Sequence, residues 1–70
     1  MHRDTIEIIL NGVQCKSGAK TLHELILIEK LDFIKVATAL NGEFVPEKAR
    51  GETYLKTGDH VEILTARYGG

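Results

Sequence analysis

Two Asn-Gly pairs, one on each side of a single helical segment, constrain the fold of this 70-residue chain more than any other feature. Asn and Gly both tolerate the positive φ that the two-residue type I′ hairpin turn demands. The two pairs and the β-prone segments that they join are Asn11-Gly12 between residues 5–10 and 13–16, and Asn41-Gly42 between residues 36–40 and 43–45. The pattern predicts two short antiparallel hairpins.

The segment between the hairpins has the features of a helix. Thr21 and Glu24 fit a capping box, in which the Thr21 side chain accepts from the amide three residues on and the Glu24 side chain reaches back. The i, i+3, i+4 spacing of a core-facing stripe is met by Leu22, Leu25 and Ile26. Leu27 and Ile28 widen this stripe beyond what one buried face needs. We expect the helix to end near Lys30.

Residues 60–65 alternate as a final strand, with Val61 and Ile63 on one face and Leu64 on the other. The polar residues 47–52 before it are predicted to form an irregular connection. A helical crossover places the last strand parallel to the first by the usual right-handed connection. The order hairpin, helix, hairpin, strand therefore predicts an α+β fold of the β-grasp (ubiquitin-like) type. One main helix would cover one face of a four- to five-stranded mixed sheet.

Length and composition exclude several classes of protein. Seventy residues predict a single domain spanning 1–70. The one cysteine permits no intramolecular disulfide, and no Cys and His set has the spacing of zinc ligands. Nine basic and ten acidic residues are mixed along the chain, which argues against nucleic acid or an anionic membrane as a partner. The longest apolar run, residues 25–28, is too short to cross a bilayer. A cytoplasmic location is expected.

The chain ends in Tyr68-Gly69-Gly70, and Gly70 carries the only α-carboxylate. Glycine has no Cβ and takes backbone angles that are closed to other residues. Residues 66–70 are therefore predicted to form an extended, flexible tail that can thread a narrow active site. Such a tail can place its carboxylate against a nucleotide phosphate. Because chain ends are usually disordered, the tail alone leaves a frayed terminus as the alternative.

Five stretches resemble the ThiS family, the small sulfur carriers of thiamin biosynthesis, in the same order and at the same spacing. They are residues 6–12 (IEIILNG), 21–26 (TLHELI), 36–46 (VATALNGEFVP), 57–64 (TGDHVEIL) and the terminal Gly-Gly. Together they cover most of the chain. The combination of the Asn-Gly-Glu-x-Val-Pro hairpin, the Gly-Asp-x-Val-Glu-Ile strand and the Gly-Gly end is the specific part.

The resemblance implies a protein substrate that acts as a sulfur donor and is not an enzyme, with no catalytic residue, bound cofactor or metal of its own. An E1-like adenylyltransferase, ThiF, would use ATP to adenylate the carboxylate of Gly70. Sulfur from a cysteine desulfurase would replace AMP, and the thiocarboxylate would pass its sulfur to the thiazole synthase ThiG. Gly69, which has no side chain, would form the narrow segment directly before the reacting residue. The chain departs from the family at Arg67-Tyr68, because family members commonly have a small aliphatic residue just before the glycines. This difference bears on how the tail would dock in a partner enzyme.

Ile9 and Leu64 face away from the predicted core, on strands that are predicted to be neighbours. Scattered apolar side chains on a surface need no explanation. These two, however, are expected to join into a patch on the open face of the sheet, beside the point where the tail emerges. We hypothesise that this patch docks both ThiF and ThiG.

Cys15, His23 and His60 also belong to residue types that carry chemistry. A lone cysteine on a short strand is expected to be a small packed hydrophobe. The two histidines have no acid or nucleophile motif beside them, so we expect them to be solvated. No pair of carboxylates is arranged for acid-base work.

Three other functions share parts of this pattern. A MoaD-like carrier for molybdopterin synthesis has the same fold and tail, although MoaD-like chains tend to be longer. A TGS-type regulatory module would have no use for a free Gly-Gly end. A ubiquitin-like modifier would become linked to lysines of other proteins, which a search for high-mass conjugates would reveal.

Overall fold

The computed structural model describes residues 4–65. Its elements in chain order are β1 Ile6–Leu10, β2 Val13–Ser17, α1 Leu22–Ile28, β3 Val36–Leu40, β4 Glu43–Val45, a 3-10 helix Glu47–Glu52 and β5 His60–Thr65. Each of the strands predicted from the sequence is present, with its ends displaced by one residue at most.

The strands form one mixed sheet in the order β2-β1-β5-β3-β4. β5 lies parallel to β1, with Ile9 opposite His60. On its other edge β5 runs antiparallel to β3 as far as the pair of Thr65 with Val36. The two hairpins flank this central strand, and α1 packs on one face. The predicted ubiquitin-like β-grasp fold is therefore confirmed.

Both hairpin turns have the backbone that their Asn-Gly pairs predict. Asn11 and Asn41 have φ angles of 51° and 52°, and the glycines that follow have φ angles of 84° and 86°. All four angles lie in the left-handed region, as a type I′ turn requires. The antiparallel pairing of each hairpin continues up to its turn.

Helix α1 starts at the predicted capping residue. Thr21 is extended, and its side chain accepts a hydrogen bond of 3.1 Å from the amide of Glu24. The Glu24 carboxylate also turns back, but it accepts from the amide of Lys20 at 2.7 Å. The reciprocal bond of the predicted capping box is thus displaced by one residue, to the amide that precedes the cap.

The helix ends at Ile28, two residues before the predicted end near Lys30. Lys30 has a φ of 60° and so lies in the left-handed region. Its amide donates to the carbonyl of Leu27, and the amide of Leu31 donates to the carbonyl of Ile26, both at 3.1 Å. These two bonds define a Schellman motif, in which a left-handed residue closes the helix.

The core lies between α1 and the inner face of the sheet. Its fully buried apolar side chains are Ile8, Leu22, Leu25, Ile26 and Val61. The stripe predicted on the helix is therefore confirmed. Leu27 and Ile28 do not extend the buried stripe, because they are 55% and 51% exposed on the outer side of the helix.

The connection at 47–52, predicted to be irregular, is a 3-10 helix that buries Arg50. The Arg50 guanidinium donates to Thr38 Oγ1, to the carbonyl of Phe33 and to the carbonyl of Val36, at 3.1, 2.9 and 2.8 Å. A single side chain thus joins the 3-10 helix to β3 and to the segment that leads into it. Among residues 4–65, no buried polar side-chain atom lacks a hydrogen-bond partner.

Candidate functional site

β5 is the strand that carries the chain towards its C-terminal glycines. It lies in the centre of the sheet, between β1 and β3. Val61 and Ile63 anchor it in the core, and Thr65 is still paired with β3. The predicted tail residues Tyr68, Gly69 and Gly70 lie outside the described residues. What the structure defines is therefore the platform from which the tail starts.

One face of the sheet carries α1, and no element of residues 4–65 covers the opposite face, called here the open face. The alternation of β5 turns His60, Glu62 and Leu64 towards the open face, where all three are exposed. Strand pairing places Ala37 of β3 beside Leu64. Phe44 of β4 lies on the same face and is 70% exposed. The open face is thus apolar on its β3–β4 side.

The structure places both predicted docking residues on the open face but does not bring them together. Ile9 is half-buried and lies opposite His60. Leu64 is 66% exposed and lies four residues further along β5, a separation of roughly 13 Å along an extended strand. The expected joint patch is therefore two separate apolar positions. A role of either residue in docking stays a prediction.

Two depressions on the open face correspond to these two positions. The first, of about 470 Å³, is lined by Ile9 and His60 among others. The second, of about 110 Å³, is lined by Leu64 and Phe44 among others. Glu62 borders both depressions. An exposed carboxylate thus stands between the two apolar positions on the surface.

The other side chains singled out from the sequence have ordinary surroundings. Cys15 is a free, half-buried thiol that packs against the core, as predicted. His60 is exposed at the start of β5. His23 is exposed on α1, and its ring stacks on Phe33 with a centroid distance of 4.6 Å. The stacking partner could not be identified from the sequence, because Phe33 lies in the connection after the helix.

Two features are absent from residues 4–65. No group of three or more His, Cys, Asp and Glu side chains in this part of the chain is placed to hold a metal ion. No helix within the same range is long and apolar enough to cross a membrane.

The sequence interpretation missed the side chains of Asn11 and Asn41, which it treated only as turn residues. Both side chains bond the backbone of β5. The Asn11 amide pairs with Ile63, and the Asn41 amide pairs with His60 and with the carboxylate of Asp59. Asparagine supplies a donor and an acceptor, so its presence at both turns was the available signal. The partner of Asn11 could not be predicted, because Ile63 lies 52 residues away in the sequence.

Asp59, directly before β5, is buried and belongs to this network. Burial alone raises the pKa of a carboxyl. For Asp59 this effect is outweighed by hydrogen bonds from the Asn41 amide and the Lys56 backbone, and by the Lys56 ammonium 3.1 Å away. The pKa of Asp59 therefore lies below its ordinary value. The start of β5 is held by an ionised, fully bonded carboxylate.

Comparisons with known proteins place this geometry in a family. The model of the ThiS family matches residues 6–70. The crystal structure of the thiamine biosynthesis protein ThiS from Geobacter metallireducens is 32% identical, with a TM-score of 0.78, and the match covers 93% of this chain and 100% of that one. A solution structure of a thiamine biosynthesis protein from the same organism is also 32% identical, has a TM-score of 0.76 and is matched over 88% of its length, again with 93% of this chain covered. A search of curated proteins gave no match. The chain belongs to the ThiS family.

Proposed function

We propose that this protein is a sulfur carrier of thiamin biosynthesis and that its sulfur is carried on the C-terminal carboxylate of Gly70. The observation that carries the proposal is the extent of the family match, which runs through residue 70 and so includes the Gly-Gly end. The ThiS protein of Geobacter metallireducens, described as a thiamine biosynthesis protein, supports the assignment to this pathway.

The proposed chemistry activates a carboxylate that is a poor electrophile. The Gly70 carboxylate attacks the α-phosphorus of ATP, pyrophosphate leaves, and an acyl adenylate forms at the terminus. A persulfide derived from a cysteine desulfurase then attacks the acyl carbon and displaces AMP, and a thiol reductant cleaves the resulting acyl disulfide to leave a thiocarboxylate. A thiocarboxylate is a good nucleophile at neutral pH, and a thiazole synthase would take the sulfur from it. Gly69 and Gly70 suit this chemistry because no Cβ stands in the way of the reacting carbon.

In this proposal the protein is a substrate and a sulfur donor, and its partners are the enzymes. A ThiF-like adenylyltransferase would bind the ATP, so that no cofactor is held by the carrier itself. A ThiG-like synthase would be the acceptor, and the reactions would take place in the cytoplasm. The body of the carrier would be recognised at the open face, with Ile9 and Leu64 as docking residues.

The intact mass of the protein tests the proposal. The protein is incubated with ATP, a ThiF-type enzyme, a cysteine desulfurase with its cysteine substrate, and a thiol reductant. We expect a mass gain equal to the replacement of one oxygen by sulfur. Deletion of Gly70 should abolish the gain, because the remaining terminus is one residue too short to reach the activating site.

The enzyme must be shown to act on a known carrier, and the truncated protein must be shown to be folded by circular dichroism. With these controls in place, an unchanged mass of the full-length protein contradicts the proposal. High-mass conjugates in cell extracts would instead indicate a ubiquitin-like modifier.

A further inference from the structure

The two edges of β5 are supported unequally in the half that precedes the C-terminus. On one edge, β3 pairs with β5 up to Thr65. On the other edge, the residue pairing with β1 covers only His60 and Val61. β1 cannot follow β5 further, because its chain turns away after Leu10 into the type I′ turn. The second half of β5 therefore needs another partner on this edge.

The Asn11 side chain provides that partner. Its Oδ1 accepts from the amide of Ile63 at 2.8 Å, and its Nδ2 donates to the carbonyl of Ile63 at 3.1 Å. The backbone amide of the same residue donates to the carbonyl of Val61 at 2.9 Å. A primary amide has the donor and the acceptor of a peptide group. The side chain thus continues the ladder where the backbone of β1 has left it.

Few residues meet these requirements at position 11. The backbone φ of 51° favours asparagine, aspartate or glycine. Aspartate would keep the acceptor but would turn a negatively charged oxygen towards the Ile63 carbonyl. Glycine would keep the turn but would leave both backbone groups of Ile63 without this partner. Asparagine alone of the three combines the turn with the two hydrogen bonds.

Asn41 is a natural comparison, because it has the same turn type and nearly the same φ. Its side chain accepts from the amide of His60 at 2.8 Å and donates to Asp59 at 3.0 Å. These contacts hold the first residue of β5, at the end of the strand remote from the C-terminus. The two asparagines thus bond β5 at different points, Asn41 at its first residue and Asn11 in its second half.

We propose that Asn11 is a positioning residue for the chemistry at Gly70, and this inference rests on the proposed function. Ile63 is two residues before the end of β5 and seven residues before Gly70. A partner enzyme must hold the body of the carrier and the C-terminal carboxylate at the same time. The direction in which β5 leaves the sheet then decides whether the carboxylate meets the ATP phosphate. Asn11 fixes that direction at Ile63.

Asn11→Gly and Asn41→Gly form the matched pair that tests this. Both substitutions keep the positive φ and remove one side chain that bonds β5. We expect Asn11→Gly to lower the kcat of adenylation about tenfold or more and to leave KM within about twofold, because misplacement of a reacting group acts on the chemical step. Asn41→Gly should leave kcat unchanged. Hydrogen exchange of the Ile63 amide, which donates to Asn11 Oδ1, should accelerate only in Asn11→Gly.

Asn11→Asp adds a graded variant, because it retains the acceptor for the Ile63 amide. Its kcat should lie between those of the original protein and Asn11→Gly. Equal kcat values for Asn11→Gly and Asn41→Gly would overturn the inference and leave Asn11 a structural role only. If the original protein is not adenylated, the proposed function is contradicted, and the inference with it. If the original protein and Asn11→Gly are both adenylated normally, only the inference is contradicted.

Discussion

At the scale of single residues, Asp59 shows how one buried carboxylate can organise the start of a strand. Its two oxygens accept from the Asn41 amide, from the Lys56 amide and from the Lys56 ammonium. These three donors belong to the second hairpin turn and to the turn before β5. The ionised form is the form that all of them stabilise. The stability of the protein should therefore depend on the charge of Asp59.

We predict that the free energy of unfolding falls more steeply for the original protein than for Asp59→Asn when the pH is lowered from 6 to 3. The folded pKa is lowered from an ordinary value of 3.8. Stabilisation by this group is thus complete above the unfolded pKa and is lost as the pH falls through the folded pKa. At pH 7, Asp59→Asn should be less stable by about 1–3 kcal/mol, because the Lys56 amide faces a group that donates.

Urea unfolding curves at each pH measure both quantities. Asp32→Asn is the control for the loss of one carboxylate, because Asp32 is exposed and makes its hydrogen bond to the nearby Ile34 amide. Parallel pH profiles for Asp59→Asn and the original protein would show that Asp59 does not carry the acid sensitivity.

At the scale of elements, α1 is closed by a residue whose backbone conformation is unfavourable for any residue with a Cβ. Lys30 occupies the left-handed position of the Schellman motif, where glycine is the usual residue. A side chain with a Cβ in this region costs about 1–2 kcal/mol. Glycine would remove this cost. It would also give the unfolded chain more freedom, which lowers the stability by about 0.4–1 kcal/mol.

Lys30→Gly is therefore predicted to stabilise the protein by about 0.5–1 kcal/mol. Chemical denaturation measures the change, with Lys30→Ala as the matched control. Alanine removes the charged side chain but keeps the Cβ, so it should give no comparable gain. A glycine variant that is no more stable than the alanine variant would show that the left-handed backbone at Lys30 is not strained.

Elements set by local signals could be predicted from the sequence, and elements set by distant contacts could not. The Asn-Gly turns, the Thr21 cap and the apolar alternation act within a few residues, and the structure follows them. The 3-10 helix was missed because a polar segment containing a glycine is typical of a loop. Its buried residue, Arg50, is held by oxygens of Phe33, Val36 and Thr38, which lie 12 to 17 residues away. Arginine is rarely buried, so the composition indicated the opposite.

At the scale of the whole molecule, the sheet separates two tasks. Its inner face and α1 form the core. Its open face, which no helix of residues 4–65 covers, carries Ile9, Glu62, Leu64 and Phe44. Sequence alternation predicted which residues of β1 and β5 face outward. It did not predict the register between β1 and β5, and this register separates Ile9 from Leu64. Two positions on one face can therefore be tested independently as contacts for a partner enzyme.

We predict that Leu64→Glu raises the KM of the activating enzyme for the carrier about tenfold or more, because a charge replaces an apolar contact next to Glu62 and is desolvated on docking. The free energy of unfolding should change by about 0.5 kcal/mol or less, since the side chain is exposed. Ile34→Glu is the control, because Ile34 is 82% exposed and lies in the connection after α1. This substitution should leave the KM unaltered.

The same measurement on Ile9→Glu decides how far the contact extends over the open face. A raised KM for both variants would assign both depressions to the partner, whereas a raised KM for Leu64→Glu alone would confine the contact to the β3–β4 side. Normal adenylation of a folded Leu64→Glu variant would exclude Leu64 as a docking residue. Because Leu64 directly precedes the last residue of β5, a contact there would bring the enzyme to the start of the tail and shorten the path that Gly70 has to span.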